Sequence, residues 1–146
     1  MKIELKIDEQ CSETKIVIVC NKLSTEISDL MKRISEESPQ TIIGYKGEFA
    51  VPIELSDIIR IYAAVGKVFV VTTKAEYVLH LRLYEAEDKL CQKNFVRISN
   101  SEIINIKKVK KFDLSMPGTI YVSMSNGDTS LVSRRYVAKI KDSLGM

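Results

Sequence analysis

Short β-branched runs follow one another so closely from residue 58 onward that no crossover helix fits between them. Residues 58–64, 67–73 and 76–81 are separated only by Val65-Gly66 and Lys74-Ala75. Neighbouring parallel strands need a connection of a dozen or more residues, whereas antiparallel strands close through two. These strands are therefore expected to be antiparallel. A Rossmann-like or flavodoxin-like sheet is not expected, and with it falls a phosphate-receiver domain, for which the residues ahead of this region are also too few.

The pattern continues to the C-terminus. Leu83, Ala86, Glu87 and Leu90 fall at helical spacing and predict a short helix over 83–91. A strand at 95–98, a single turn at 101–105 and a strand at 106–114 follow, then a turn at Met116-Pro117-Gly118. Strands at 119–124 and 129–132 flank Ser125-Asn126-Gly127-Asp128, whose Asn-Gly pair is the strongest short hairpin signal in the chain. A last helix starts at Ser133 as N-cap and buries Val137, Ile140 and Leu144. Upstream, residues 2–8 and 15–20 alternate as strands, and Ser24 caps a helix whose Ile27, Leu30, Met31 and Ile34 form one apolar stripe. Pro39 stops that helix, and residues 41–53 return to strand character broken by Gly44 and Gly47. The fold class read from this order is mainly β (α+β), antiparallel with peripheral helices. A small β-β-α-β unit at 1–45 precedes a main domain at 46–146.

Charge divides the chain at the same place. Residues 1–45 carry six Lys and Arg against eight Asp and Glu, and residues 46–146 carry sixteen against eleven, for a net +3 overall. A basic C-terminal part permits contact with a polyanion without requiring it. No apolar run approaches the ~18 residues of a membrane span. The N-terminus alternates as a strand does and has no signal-peptide character. Cys11, Cys20 and Cys91 cannot all pair with one another and none sits at metal-ligand spacing, so they read as reduced thiols of a cytoplasmic protein.

Catalytic chemistry finds little to stand on. The only histidine, His80, lies inside a strand and reads as structural. The six glycines are scattered at turns rather than gathered in a phosphate-cradling loop. Glu85, Glu87 and Asp88 crowd one short helix beside Lys89 as a solvated face, and Ser133 has no base to activate it. No enzyme, cofactor, metal site or small-molecule substrate is expected. The basic residues carry more information. Arg134 and Arg135 occupy a first helical turn, where the helix dipole disfavours cations unless an anion or a guanine edge is present. Lys107-Lys108-Val109-Lys110-Lys111 alternates across a strand, and Arg97-Ile98-Ser99-Asn100-Ser101 leaves a strand as a polar loop. Asparagine is a side chain that pairs with adenine through two hydrogen bonds.

The block from Phe95 through Arg97, Ser101 and Ile104 to Asn105 resembles the LytTR DNA-binding domain family. So do the following Ile-x-x-Val strand, the Asn126-Gly127 hairpin and the Ser133-Arg134-Arg135-Tyr136 helix start, in the family's order and spacing. Residues 81–90 fit the helix that precedes the block, and the likeness runs from about residue 46 to 145. The resemblance implies an elongated set of small antiparallel sheets whose loops enter successive major grooves of double-stranded DNA, in a bacterial transcription regulator. Carried over, it assigns base reading to Asn100 and Arg135, with Arg134 beside them and Ser99 and Ser101 flanking. The third loop falls at Val65-Gly66-Lys67, where some relatives have histidine; Lys67 is suited to phosphate. Lys107 and Lys108 add basic contacts. With no receiver domain ahead of it, the chain resembles standalone members, often accompanied by a small membrane protein that controls them. The N-terminal unit is then expected to dimerise or to dock such a partner, and the chain to act as a homodimer on a direct repeat. The rival expectation is a protein-interaction module with an apolar surface patch around 41–53.

Overall fold

The structure, a computed structural model, describes residues 1–35, 41–90 and 94–146. It divides into two compact units, Met1–Ser38 and Pro39–Met146. In the first, helix α1 spans Thr25–Ser35. Ser24 caps it as expected, its Oγ accepting the Ile27 N–H at 3.3 Å. Pro39, the expected stop, lies outside the described residues. The expected strands at 2–8 and 15–20 do not form. Ile3, Leu5 and Ile7 alternate as a strand should, yet each is more than 80% exposed. Alternation specifies a strand only where one face has something to bury against, and an isolated pair is marginal in water.

Among its described residues the second unit carries ten strands in two antiparallel sheets. The larger is built from β1 (Thr41–Lys46), β2 (Phe49–Glu54), β3 (Ile58–Ala64), β4 (Lys67–Thr72), β5 (Glu76–Leu79), β6 (Phe95–Ser99) and β7 (Glu102–Asn105). Their order is β2-β1-β5-β4-β3-β7-β6. The smaller sheet orders β10 (Thr129–Val132), β9 (Ile120–Met124) and β8 (Val109–Asp113). Helices α2 (Leu83–Leu90) and α3 (Arg134–Leu144) complete it. This is the mainly antiparallel β architecture with peripheral helices that the strand spacing required.

The strand region at 41–53 belongs to this unit. Tyr45 pairs with Val78, so the β1–β2 hairpin extends the large sheet and the unit begins at Pro39 rather than at residue 46. Gly44 makes that junction fit: a Cβ there would lie 2.8 Å from Tyr77 Cβ and collide with Ile53 Cδ1. His80 closes the end of β5 by stacking on Tyr45, ring centroids 3.6 Å apart.

The β3, β7 and β6 part of the large sheet is buried on both faces. Leu83, Ala86 and Leu90 of α2 pack with Ile58, Ile61, Val70 and Ile103 on one side. Ile59, Ile98 and Ile104 pack with Ile120, Val122, Met124 and α3's Ile140 on the other. Residues 101–105, expected as a turn, are therefore largely strand. Ile103 and Ile104 are at most 1% exposed and point to opposite faces, which only an extended backbone between two layers achieves. The expected strand at 106–114 begins late, because Ile106–Lys108 forms a 3₁₀ turn. Asn105 imposes it: its buried Nδ2 donates to Ile58 C=O at 2.8 Å while its Oδ1 accepts the Lys107 N–H at 3.0 Å.

Candidate nucleic-acid interface

Three chain segments meet at one end of β3, β6 and β7. The first is the β6–β7 turn, where a bulge between Arg97 and Ser99 leaves Asn100 exposed at the tip. Ser101 N–H donates to Ser99 Oγ at 3.2 Å and Ser101 C=O accepts from Ala63 N–H at 2.8 Å, tying the turn to itself and to β3. The second is the start of α3. Ser133 N–H donates to Ile98 C=O at 2.9 Å, which sets Arg134 and Arg135 beside the turn. Tyr136 closes the gap, its hydroxyl donating to Asn100 Oδ1 at 3.4 Å. The third is the Val65-Gly66 turn, whose strand β3 runs antiparallel to β7 with Tyr62 opposite Glu102. That register puts it at the same end, with Lys67 exposed at the start of β4.

Asn100, Arg134 and Arg135 are exposed, and among the described residues no carboxylate pairs with either arginine. Ser133 corrects its expected role: it stands at the N-cap position with extended φ and ψ, but its hydroxyl makes no capping bond. Tyr136 N–H bonds Ser133 C=O at 2.9 Å, and the two N–H groups ahead of it, on Arg134 and Arg135, stand beside two guanidinium groups, an arrangement suited to an anion. Lys107 and Lys108 are not brought to this end. They follow the far end of β7, about 13 Å of strand from the Asn100 turn. Their backbone is fixed there by Asn105 and by the Ser125 N–H to Lys108 C=O bond at 2.8 Å. Lys110 and Lys111 lie on β8, an edge strand, where lysines discourage further pairing.

Two arginines absent from the expected site organise it. Arg97 Nε donates to Ser99 C=O at 2.7 Å and Nη2 to Asn100 C=O at 2.6 Å. Its Nη1 lies 3.5 Å from Glu87 Oε2 on α2. Arg97 thus braces the turn that presents Asn100. Arg60 on β3 links the two sheets: Nη1 reaches Glu102 Oε1 at 3.2 Å and Nε reaches Asp128 Oδ2 at 2.9 Å in the β9–β10 hairpin. Ser130 Oγ donates to the same Glu102 oxygen at 2.7 Å. Hydrogen bonds from Arg60 and then Asn126 hold the Asp128 carboxyl below its ordinary range. Arg97 stands in the motif block and bonds carbonyls two and three residues on, whereas sequence carries no local signal for Arg60, whose partners are set by the fold. Arg97 and Lys67 also line an open groove of about 1120 Å³ with Arg82, His80 and Tyr84. Among the described residues no group of His, Cys, Asp and Glu is arranged to hold a metal ion, and no helix is long and apolar enough to cross a membrane.

Comparison with known proteins identifies the family. Residues 49–145 match the LytTr DNA-binding domain family. Uncharacterized HTH-type transcriptional regulator SAS2254 of Staphylococcus aureus (strain MSSA476) is 31% identical over 147 residues, covering 100% of this chain and 99% of that protein. The corresponding SAR2449 of strain MRSA252 is 30% identical over the same span. In this chain strands separate each described helix from the next, so the helix-turn-helix of those names has no counterpart among the described residues. A solved LytTr DNA-binding domain from Bacillus cereus superposes with a TM-score of 0.71 at 23% identity, covering 74% of this chain and 99% of that one. The chain belongs to the LytTr DNA-binding domain family and is a DNA-binding transcriptional regulator.

Proposed function

We propose that the chain reads double-stranded DNA sequence-specifically, with Asn100 and Arg135 on base edges in the major groove. Arg134, Lys67, Ser99 and Ser101 hold the backbone around them, and Lys107 and Lys108 reach phosphates farther along the duplex. The observation that carries this reading is the Tyr136–Asn100 contact at 3.4 Å, which couples an exposed adenine-competent side chain to an arginine-bearing helix start. Phosphate contacts supply affinity and base contacts supply choice. The test is fluorescence anisotropy on duplexes selected from a randomised pool, with random duplex as competitor across a salt series. Neutralising four to six phosphates gives a slope of log affinity on log salt of about −4 to −5. Arg135→Ala is expected to cost roughly 1–3 kcal/mol on the selected site and much less on random DNA. Equal loss on both makes Arg135 a phosphate contact.

The same reading makes the protein a cytoplasmic homodimer on a direct repeat, joined through residues 1–38, with a small membrane regulatory protein as the other candidate partner for that unit. Its support is apolar exposure: Ile3, Leu5, Ile7, Val17 and Val19 are each more than 70% exposed. Sedimentation of the full chain against a variant with Ile3, Leu5 and Ile7 all changed to serine tests it, and an unchanged mass excludes self-association through this unit. The interaction-module reading is not favoured. Ile43 and Phe49 are exposed, but Phe49 pairs with Lys46, three positions from Ile43, so they lie on opposite faces of the hairpin and make no single patch.

A further inference from the structure

At every other positive-φ position among the described residues the chain uses glycine or, once, Asn94. Val65 is the exception, with φ of 49° followed by Gly66 at 72°. Ala64 and Lys67 pair across this two-residue turn, and two successive positive φ values are the type I′ requirement. Asparagine, aspartate and glycine suit the first position; a β-branched side chain clashes with its own backbone there. The β9–β10 turn places its one positive φ, 93°, on Gly127. Nor does packing offset the strain, since Val65 is 92% exposed. A strained apolar residue at a loop tip that gains nothing inside the molecule indicates a partner outside it.

The position says which partner. Ala63 N–H bonds to Ser101 C=O at 2.8 Å, so the Val65 tip projects from the sheet at the same end as Asn100, with the exposed cation Lys67 two residues on. An isopropyl group makes no hydrogen bond, and the apolar feature of the major groove is the thymine C5-methyl. We infer that Val65 is a specificity-determining residue that packs its methyl groups on the C5-methyl of one thymine while Lys67 holds the neighbouring phosphate. This rests on the DNA-reading function proposed above.

The test uses the full chain and duplexes it selects from a randomised pool, with each thymine replaced singly by deoxyuridine, which removes only the methyl. One replacement is expected to weaken wild-type binding about fourfold, the worth of one buried methyl. Val65→Asn, which suits the turn, is expected to bind the thymine and deoxyuridine duplexes equally and to melt about 3 °C higher than wild type. Val65→Ala, which keeps the turn and removes both methyls, is expected to lose the discrimination as well. Arg135→Ala is expected to keep it. If binding is selective and depends on Arg135 but no thymine methyl matters more to wild type than to Val65→Asn, the assignment to Val65 is wrong and DNA reading stands. If selection yields no duplex bound better than random DNA, both readings fall together.

Discussion

Arg97→Met should weaken specific DNA binding without touching DNA. The substitution keeps an apolar stem of similar length and removes the three interactions that fix the Asn100 turn: 2.7 Å to Ser99 C=O, 2.6 Å to Asn100 C=O and 3.5 Å to Glu87. The turn is partly wet, so water replaces much of each lost bond, and the net cost to folding is about 1 kcal/mol per carbonyl. Binding suffers differently. Reordering freed backbone costs about 1–2 kcal/mol per residue, and the Ser101–Ala63 and Ser101–Ser99 bonds still restrain part of the turn. The net expectation is about 1.4 kcal/mol, a tenfold rise in Kd on the selected site. Anisotropy across a salt series separates this from a phosphate contact. A brace leaves the salt slope unchanged, whereas a lost phosphate partner lowers it by about one unit. Glu87→Gln keeps both carbonyl bonds and should change affinity less than about twofold, since a single partly buried contact at 3.5 Å contributes little. Unchanged affinity in Arg97→Met, or a loss accompanied by a shallower slope, would refute the brace.

Three further outcomes are expected. Gly44→Ala forces a methyl against Tyr77 Cβ and Ile53 Cδ1, and should destabilise by about 1–3 kcal/mol in chemical denaturation while leaving DNA affinity of the folded protein intact. Asn105→Ala strands the Ile58 carbonyl and uncaps the Lys107 turn, at a cost of about 1–3 kcal/mol by the same measurement. Asp128 titrates below its ordinary 3.8 in the folded state, so its stabilisation is present above about pH 4 and is lost as pH falls through the lower folded value. Thermal melts from pH 6 down to 3 should therefore lose less stability at the acid end in Asp128→Asn than in wild type. The difference will be modest, since the side chain is 36% exposed.

Where the determinants are local, reading along the chain was enough. Ser24 three residues ahead of Ile27 specified the start of α1, Asn126-Gly127 specified the β9–β10 turn, and two-residue spacers made β3, β4 and β5 antiparallel before any contact was known. The Asn100 and Arg135 candidates came from recognisable motif spacing, and the structure adds that Tyr136 brings their segments together. Other features have determinants far away in sequence. Residues 2–8 have the alternation of a strand and remain unpaired for want of a face to bury, while Glu102–Asn105 looks like a turn and becomes a strand because two layers close on it. Arg60 illustrates the same limit at the site. Arg60 finds its partners 42 and 68 residues away, a pairing that exists only after β3, β7 and the last hairpin have packed. Sequence by itself determined the elements whose hydrogen bonds close within a turn and the direction of neighbouring strands. Tertiary structure decided which apolar faces are buried, and through them which polar side chains hold the candidate loops.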